Sequence, residues 1–257
     1  MKKVILEKKD RAATLFINRA DAFNALDLET VLEMEDAVHM VEHDREIKVL
    51  LVRGKGKNFC TGADLKYFLT IQRDAVALES FISQINRTFN SMENLRVPVI
   101  AVVHGYCLAG GFELLQACDL AISSTDAVIG DQHANYGLMP GAGGTQRLPR
   151  IIGRQRAKEL LYTGRWLSGK EAQEYGLVIK ALPPDELERE VEHIVARIVE
   201  KSSDGLACMK KVLNQGMEMS MQDGISLEVR TFLNYFPSED PVSGLIAFSE
   251  KRKPKFP

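Results

Sequence analysis

The chain has 257 residues, of which 45% are hydrophobic and 26% charged, and its formal net charge is -2. That length supports one large domain, or one domain with an appendage, around a sizeable core. The near-neutral balance argues against a broad electrostatic pull toward nucleic acid or an anionic membrane, and no apolar run approaches the ~20 residues a membrane span needs.

The opening MKKVILEKKDR has only a brief apolar patch between charges and lacks the apolar region of a secretory signal. Ala13–Ile17 reads as a short strand. Asp27 is placed to cap a helix running to about His43, with Leu28, Val31, Leu32, Val38 and Val41 on one stripe. Lys48–Arg53 reads as a second strand, followed by the turn Gly54-Lys55-Gly56-Lys57-Asn58. A helix is expected over about Ala75–Leu95. Pro98–Val103 is apolar without alternation, the pattern of a strand buried on both faces. A short helix after Gly110, a strand at Cys118–Ser123 and a last strand at Leu177–Leu182 complete the alternation, which argues for an α/β fold with largely parallel pairing. After Pro183-Pro184 the pattern is helical to Lys253. A core of residues 1–195 is therefore expected, with a helical segment over 196–257 that packs on the core or on a neighbouring subunit.

The four cysteines (60, 107, 118 and 208) form no CxxC pair, and with the five histidines they make no ligand spacing. No metal site is expected. Reduced, buried thiols in a cytoplasmic protein are the simplest reading.

Four segments carry chemistry. In Phe59–Lys66 (FCTGADLK) small residues let backbone approach a ligand, and Asp64 can cap a following helix; an ordinary strand-to-helix turn has the same look. In Leu108–Glu113 (LAGGFE) a strand runs into a glycine turn whose free N–H groups, with one from the earlier turn, suit the charge developing on a carbonyl oxygen. Glu113 follows on an apolar helix, where a carboxylate is costly unless paired or functional. In Ile129–Gly144, His133 stands near Asp131, a candidate to orient it, and the turn Gly141-Ala142-Gly143-Gly144 follows. Neither a Walker loop nor a GxGxxG fingerprint is present. The basic, aromatic end FSEKRKPKF suits a phosphate and an adenine ring, or a solvated terminus.

In order, these blocks resemble the enoyl-CoA hydratase/isomerase (crotonase) family. The match runs through Asn18-Arg19, Asn24-Ala25-Leu26, TGADLK at 61–66, HGYCLAGGFELLQACDLAI at 104–122, PGAGGTQRLPRIIG at 140–153, Tyr162-Thr163-Gly164, EAQEYGLV at 171–178 and the closing FSEKRKPKF. The resemblance implies an α/β spiral of ββα units with a helical C-terminal oligomerisation region, assembled as a homotrimer or homohexamer. It implies an acyl-CoA substrate and no separate cofactor, coenzyme A being part of the substrate. The thioester oxygen would lie between the amides of Ala63 and Gly110. The coenzyme would lie near Asp21, Ala22, Asp64, Leu65 and Lys66, with Phe248 and Lys251 at the nucleotide end, from the same or an adjacent subunit.

A hydratase of this family uses two glutamates sharing one water. Glu113 matches the first, and counting back from Gly137 and Pro140 places His133 at the second. The resemblance therefore implies a hydratase-like lyase, with fatty acid metabolism as its setting and an unusual cyclic or branched enoyl-CoA among its candidate substrates. A thioester hydrolase or decarboxylase is the alternative. Simple double-bond isomerases rely on the second position, so His133 counts against that activity. A non-catalytic acyl-CoA carrier or an RNA-binding relative is the other class. The acidic residues of the first long helix (Glu29, Glu33, Glu35, Asp36, Glu42, Asp44) count against RNA.

Overall fold

The computed structural model describes residues 2–256. A six-stranded sheet forms its centre. In sheet order its strands are β1 (Val4–Lys9), β2 (Ala12–Ile17), β3 (Val49–Gly54), β4 (Val99–Val103), β6 (Leu120–Ser124) and β9 (Lys180–Leu182). β1 pairs antiparallel with β2, and every later pairing in the sheet is parallel. β1 escapes the sequence reading because it is an edge strand whose second half, Glu7-Lys8-Lys9, is exposed and charged. It turns into β2 through Asp10, held at φ 53. A second, three-stranded sheet joins β5 (Tyr106–Leu108), β7 (Val128–Gly130) and β8 (Leu167–Ser168). These strands of two or three residues are too short to show a period.

β3 and β4 are buried on both faces, and alternate residues serve different cores. Leu50, Val52, Val99 and Ala101 point into the larger cluster with Val31, Met34 and Phe89. These come from α1 (Leu28–His43) and α3 (Ala75–Glu93). Val49, Leu51, Ile100 and Val102 face Leu187 and Val191 of α8 (Pro184–Val199). Asp27 caps α1 as expected, accepting from the Thr30 amide at 2.9 Å. α8 runs through residue 195, so the sheet's second face is covered by a helix that continues beyond that position.

The remaining helices of the last third are α9 (Ser203–Gly216), α10 (Met221–Tyr235) and α11 (Glu239–Ser249). α9 is tied to the core by Lys210, whose ammonium donates to Asp119 at 2.6 Å and to the Met92 and Val97 carbonyls at 3.1 Å. Lys210→Ala would remove the ammonium from the Asp119 carboxylate, which keeps only the Val99 N–H, and from the Met92 and Val97 carbonyls. We expect a loss of about 1–3 kcal/mol in chemical denaturation, larger than for an exposed lysine on the same helix.

Candidate active site

The loops that follow β2, β3 and β4 meet at the carboxyl ends of these parallel strands, the edge where open α/β sheets bind ligands. Three side chains fasten them. Asn24, fully buried and at φ 56, donates to the carbonyls of Lys55 and Asn58 and accepts from the Arg19 amide. Arg19 reaches across to Asp64 at 2.7 Å and Asp27 at 3.2 Å and donates to the Ala25 carbonyl. Asp64 also caps α2 (Leu65–Ile71) through the amides of Lys66 and Tyr67. Sequence reasoning assigned Arg19 and Asn24 no role of their own. In the sequence they stand out only as polar residues within the blocks Asn18-Arg19 and Asn24-Ala25-Leu26.

The frame places Ala63 beside Gly110. Leu26 and Ala63 form a parallel bridge, as do Cys60 and Cys107. Gly62 lies at φ +95, and a Cβ there would sit 2.7 Å from the Gly110 nitrogen. The residue before Gly110, Ala109, is held at φ 50 and ψ -120, a strained setting for a residue with a side chain. It serves as the N-cap of α4 (Gly110–Gln116), so Gly110 is the first residue of the helix. Among the described residues neither the Ala63 nor the Gly110 amide has an acceptor.

Glu113, one turn along α4, is 2% exposed. Its Oε1 accepts from the amides of Ala142 at 2.8 Å and Gly144 at 2.9 Å. The turn 141–144 therefore grips the catalytic candidate rather than presenting amides to a ligand. It also opens α5 (Gly144–Ile152). Burial pushes the Glu113 carboxyl above the usual carboxylate range, and the charge of Asp131 adds to this. The Gly144 and Ala142 amides and His133 pull the other way without cancelling it.

His133 begins a 3₁₀ turn, His133–Tyr136, just after β7. Its Nδ1 lies 2.8 Å from the Asp131 carboxylate, and its side chain is 15% exposed. Burial alone would favour the neutral ring. The hydrogen bond and charge of Asp131, joined by the charge of Glu113, outweigh it and raise the imidazole above its ordinary pKa.

The other expected residues are distributed as follows. Asp21 and Ala22 lie in a 3₁₀ turn (Ala20–Ala22) on the first loop; Asp64, Leu65 and Lys66 lie on the second, joined to it by Arg19. Phe248 is 83% exposed near the end of α11, and Lys251 is exposed beyond it. The chain then runs to Phe256, whose carbonyl accepts from Arg11 and Lys48 at the opposite edge of the sheet. All four cysteines are free, and burial pushes the Cys60 thiol up to about 12 and that of Cys107 well above its ordinary value, so neither is a nucleophile. Among the described residues no group of three or more His, Cys, Asp or Glu is placed to hold a metal, and no helix is long and apolar enough to cross a membrane.

Two unclaimed amides near a buried carboxyl and a carboxylate-bound imidazole are groups that can polarise a carbonyl and move a proton. Comparison with known proteins identifies the class. The enoyl-CoA hydratase/isomerase family profile matches residues 7–257. The crotonyl-CoA hydratase of Syntrophomonas wolfei is 39% identical over 98% of this chain and 97% of its own. The short-chain-enoyl-CoA hydratase of Clostridium acetobutylicum is 36% identical over 97% and 95%. The crystal structure of enoyl-CoA hydratase from Bacillus anthracis superposes with a TM-score of 0.94 at 34% identity, covering 99% of this chain and 98% of that one. The chain belongs to the enoyl-CoA hydratase/isomerase (crotonase) family and has its fold.

Proposed function

We propose that the protein adds water across the double bond of an enoyl-CoA thioester. The observation that carries this reading is that the acceptor-free amides of Ala63 and Gly110 are neighbours at the start of the helix that carries Glu113, a carboxyl on which the charge of His133 bears. The amides take the thioester oxygen, making the β-carbon electrophilic and stabilising the enolate; one such donor is worth about 10²–10³ in rate. Glu113 as carboxylate accepts a proton from water while the water oxygen bonds to the β-carbon. The π electron pair moves into the enolate and returns to the α-carbon as a C–H bond, with the proton supplied by the His133 imidazolium. Proton passage from Glu113 to His133 restores the starting state, so water and enoyl-CoA yield hydroxyacyl-CoA with nothing left over. His133 stands in this scheme where a second glutamate serves other hydratases of the family.

The coenzyme would lie along Asp21, Ala22, Asp64, Leu65 and Lys66, with Asp64 also fixing Arg19. Phe248 and Lys251, exposed in their own chain, would close over the nucleotide of an adjacent subunit. The exposed apolar side chains of α9–α11, such as Leu213, Ile225, Val229, Phe232 and Leu245, suit a homotrimer or homohexamer. Four free thiols suit a reducing cytoplasm.

The test is turnover of crotonyl-CoA, a branched enoyl-CoA and a cyclic dienoyl-CoA, with a free-thiol assay alongside. We expect loss of the conjugated thioester without thiol release. Stoichiometric free thiol would establish a hydrolase, and acyl-CoA binding without turnover would establish a carrier.

A further inference from the structure

Asp131 takes no direct part in the scheme above, yet its geometry is specific. It ends the buried run of β7 and is 1% exposed. Its two oxygens hold one residue at two points. Oδ1 accepts the His133 backbone N–H at 2.9 Å, and Oδ2 meets the His133 ring at Nδ1 at 2.8 Å. Among the described residues His133 is the one cationic side chain within ion-pair distance of it. A buried carboxylate is costly without a cation, so this pair has a strong reason to exist as carboxylate and imidazolium. The backbone contact fixes where the ring starts and the ring contact fixes how it is turned.

We propose that Asp131 is a positioning residue that commits Nδ1 of His133 to itself as a donor, leaving Nε2 as the one ring nitrogen that exchanges a proton with substrate. The inference rests on the reading that His133 serves the acyl group. When the ring is protonated, Nε2–H is the acid for the α-carbon. When it is neutral, the Nδ1–H tautomer is the one Asp131 selects, and Nε2 is an acceptor ready to take back the proton that Glu113 removed from water. Only protons move, and Asp131 remains a carboxylate throughout.

The charged groups that bear on His133 are Asp131, from the end of β7, and Glu113, from α4. Both favour the imidazolium and burial opposes it. The sign of the pH effect follows. A catalytic acid is active below its pKa, so activity falls as pH rises through the His133 value. Removing the Asp131 charge moves that fall to lower pH.

Two measurements test this. First, ring-nitrogen NMR of histidine-labelled protein, with the His133 signals assigned by loss in His133→Gln, reads tautomer and titration without any substrate. We expect the neutral ring to carry its proton on Nδ1, and the midpoint to lie above that of an exposed histidine. A proton on Nε2, or a midpoint at or below the ordinary value, overturns the proposal whatever the variants do. Second, Asp131→Asn and Asp131→Glu are compared on whichever acyl-CoA the enzyme turns over. We expect Asp131→Asn to lower kcat by about 10²–10³-fold with KM changed less than about threefold, and to shift the alkaline limb to lower pH. Asp131→Glu should restore part of kcat and the position of that limb. Unchanged kcat and pH profile in a folded Asp131→Asn protein overturns the proposal. The NMR readout stands apart from the reaction, so failure of the hydratase reading leaves the tautomer assignment measurable on its own.

Discussion

Glu113→Gln is expected to lower kcat on an enoyl-CoA by about 10³-fold while leaving the fold intact and, at neutral pH, making it more stable. The activity loss follows from position: Glu113 is the buried carboxyl beside the Gly110 amide, and an amide side chain cannot take a proton from water. The stability gain follows from its displaced titration. Burial holds the Glu113 carboxyl above its unfolded value. Such a group favours the folded state while protonated, an effect fully present below the ordinary glutamate value and lost as pH rises through the raised one. Glutamine stays neutral, and its oxygen can still accept from Ala142 and Gly144. The difference in unfolding free energy between variant and parent should therefore be near zero in acid and grow in favour of the variant toward neutrality. Denaturant titrations at several pH values, run beside kcat measurements, check both halves. Retained activity would remove Glu113 from the chemistry. A variant less stable than the parent at neutral pH would show that the carboxylate is held there by net attraction.

Gly62→Ala is expected to cost about 10²–10³-fold in kcat and about 1–3 kcal/mol of stability together. Gly62 occupies φ +95, and the new methyl would lie 2.7 Å from the Gly110 nitrogen and 2.9 Å from the Ala109 Cβ. It would push apart the Ala63 and Gly110 amides, the pair proposed to hold the thioester oxygen. Gly176→Ala separates crowding from strain: Gly176 caps α7 (Gly169–Tyr175) at φ +81, with nothing within 4 Å of an added Cβ. That control should lose stability with little change in kcat. If Gly62→Ala is as active as Gly176→Ala, the space between the Ala63 and Gly110 amides is not where the thioester oxygen sits.

Much of this site was legible in the chain because it is built from local signals. Asp27 and Asp64 cap the helices expected of them. Gly110 starts a helix directly after a strand, and Glu113 is a carboxylate in apolar company. What the sequence could not show is where a backbone amide points. The turn 141–144 has the composition of a ligand loop, yet two of its amides are spent on Glu113. Nor could composition separate Asp131 from any acidic loop residue. Its role depends on both oxygens reaching one histidine from a buried strand end. Elsewhere β1 was hidden by its charged outer half, and the second sheet by strands too short to carry a period. The last strand is shorter than the apolar run Leu177–Leu182 suggests, since only Lys180–Leu182 pairs with β6.

The claim that this site hydrates an acyl thioester is tested most directly by incubating the protein with crotonyl-CoA in water labelled with heavy oxygen. The account predicts an intact thioester product carrying one labelled oxygen on its β-carbon, formed by the parent and nearly absent with Glu113→Gln. Label in a released carboxylate with free coenzyme A, or no incorporation at all, would contradict it.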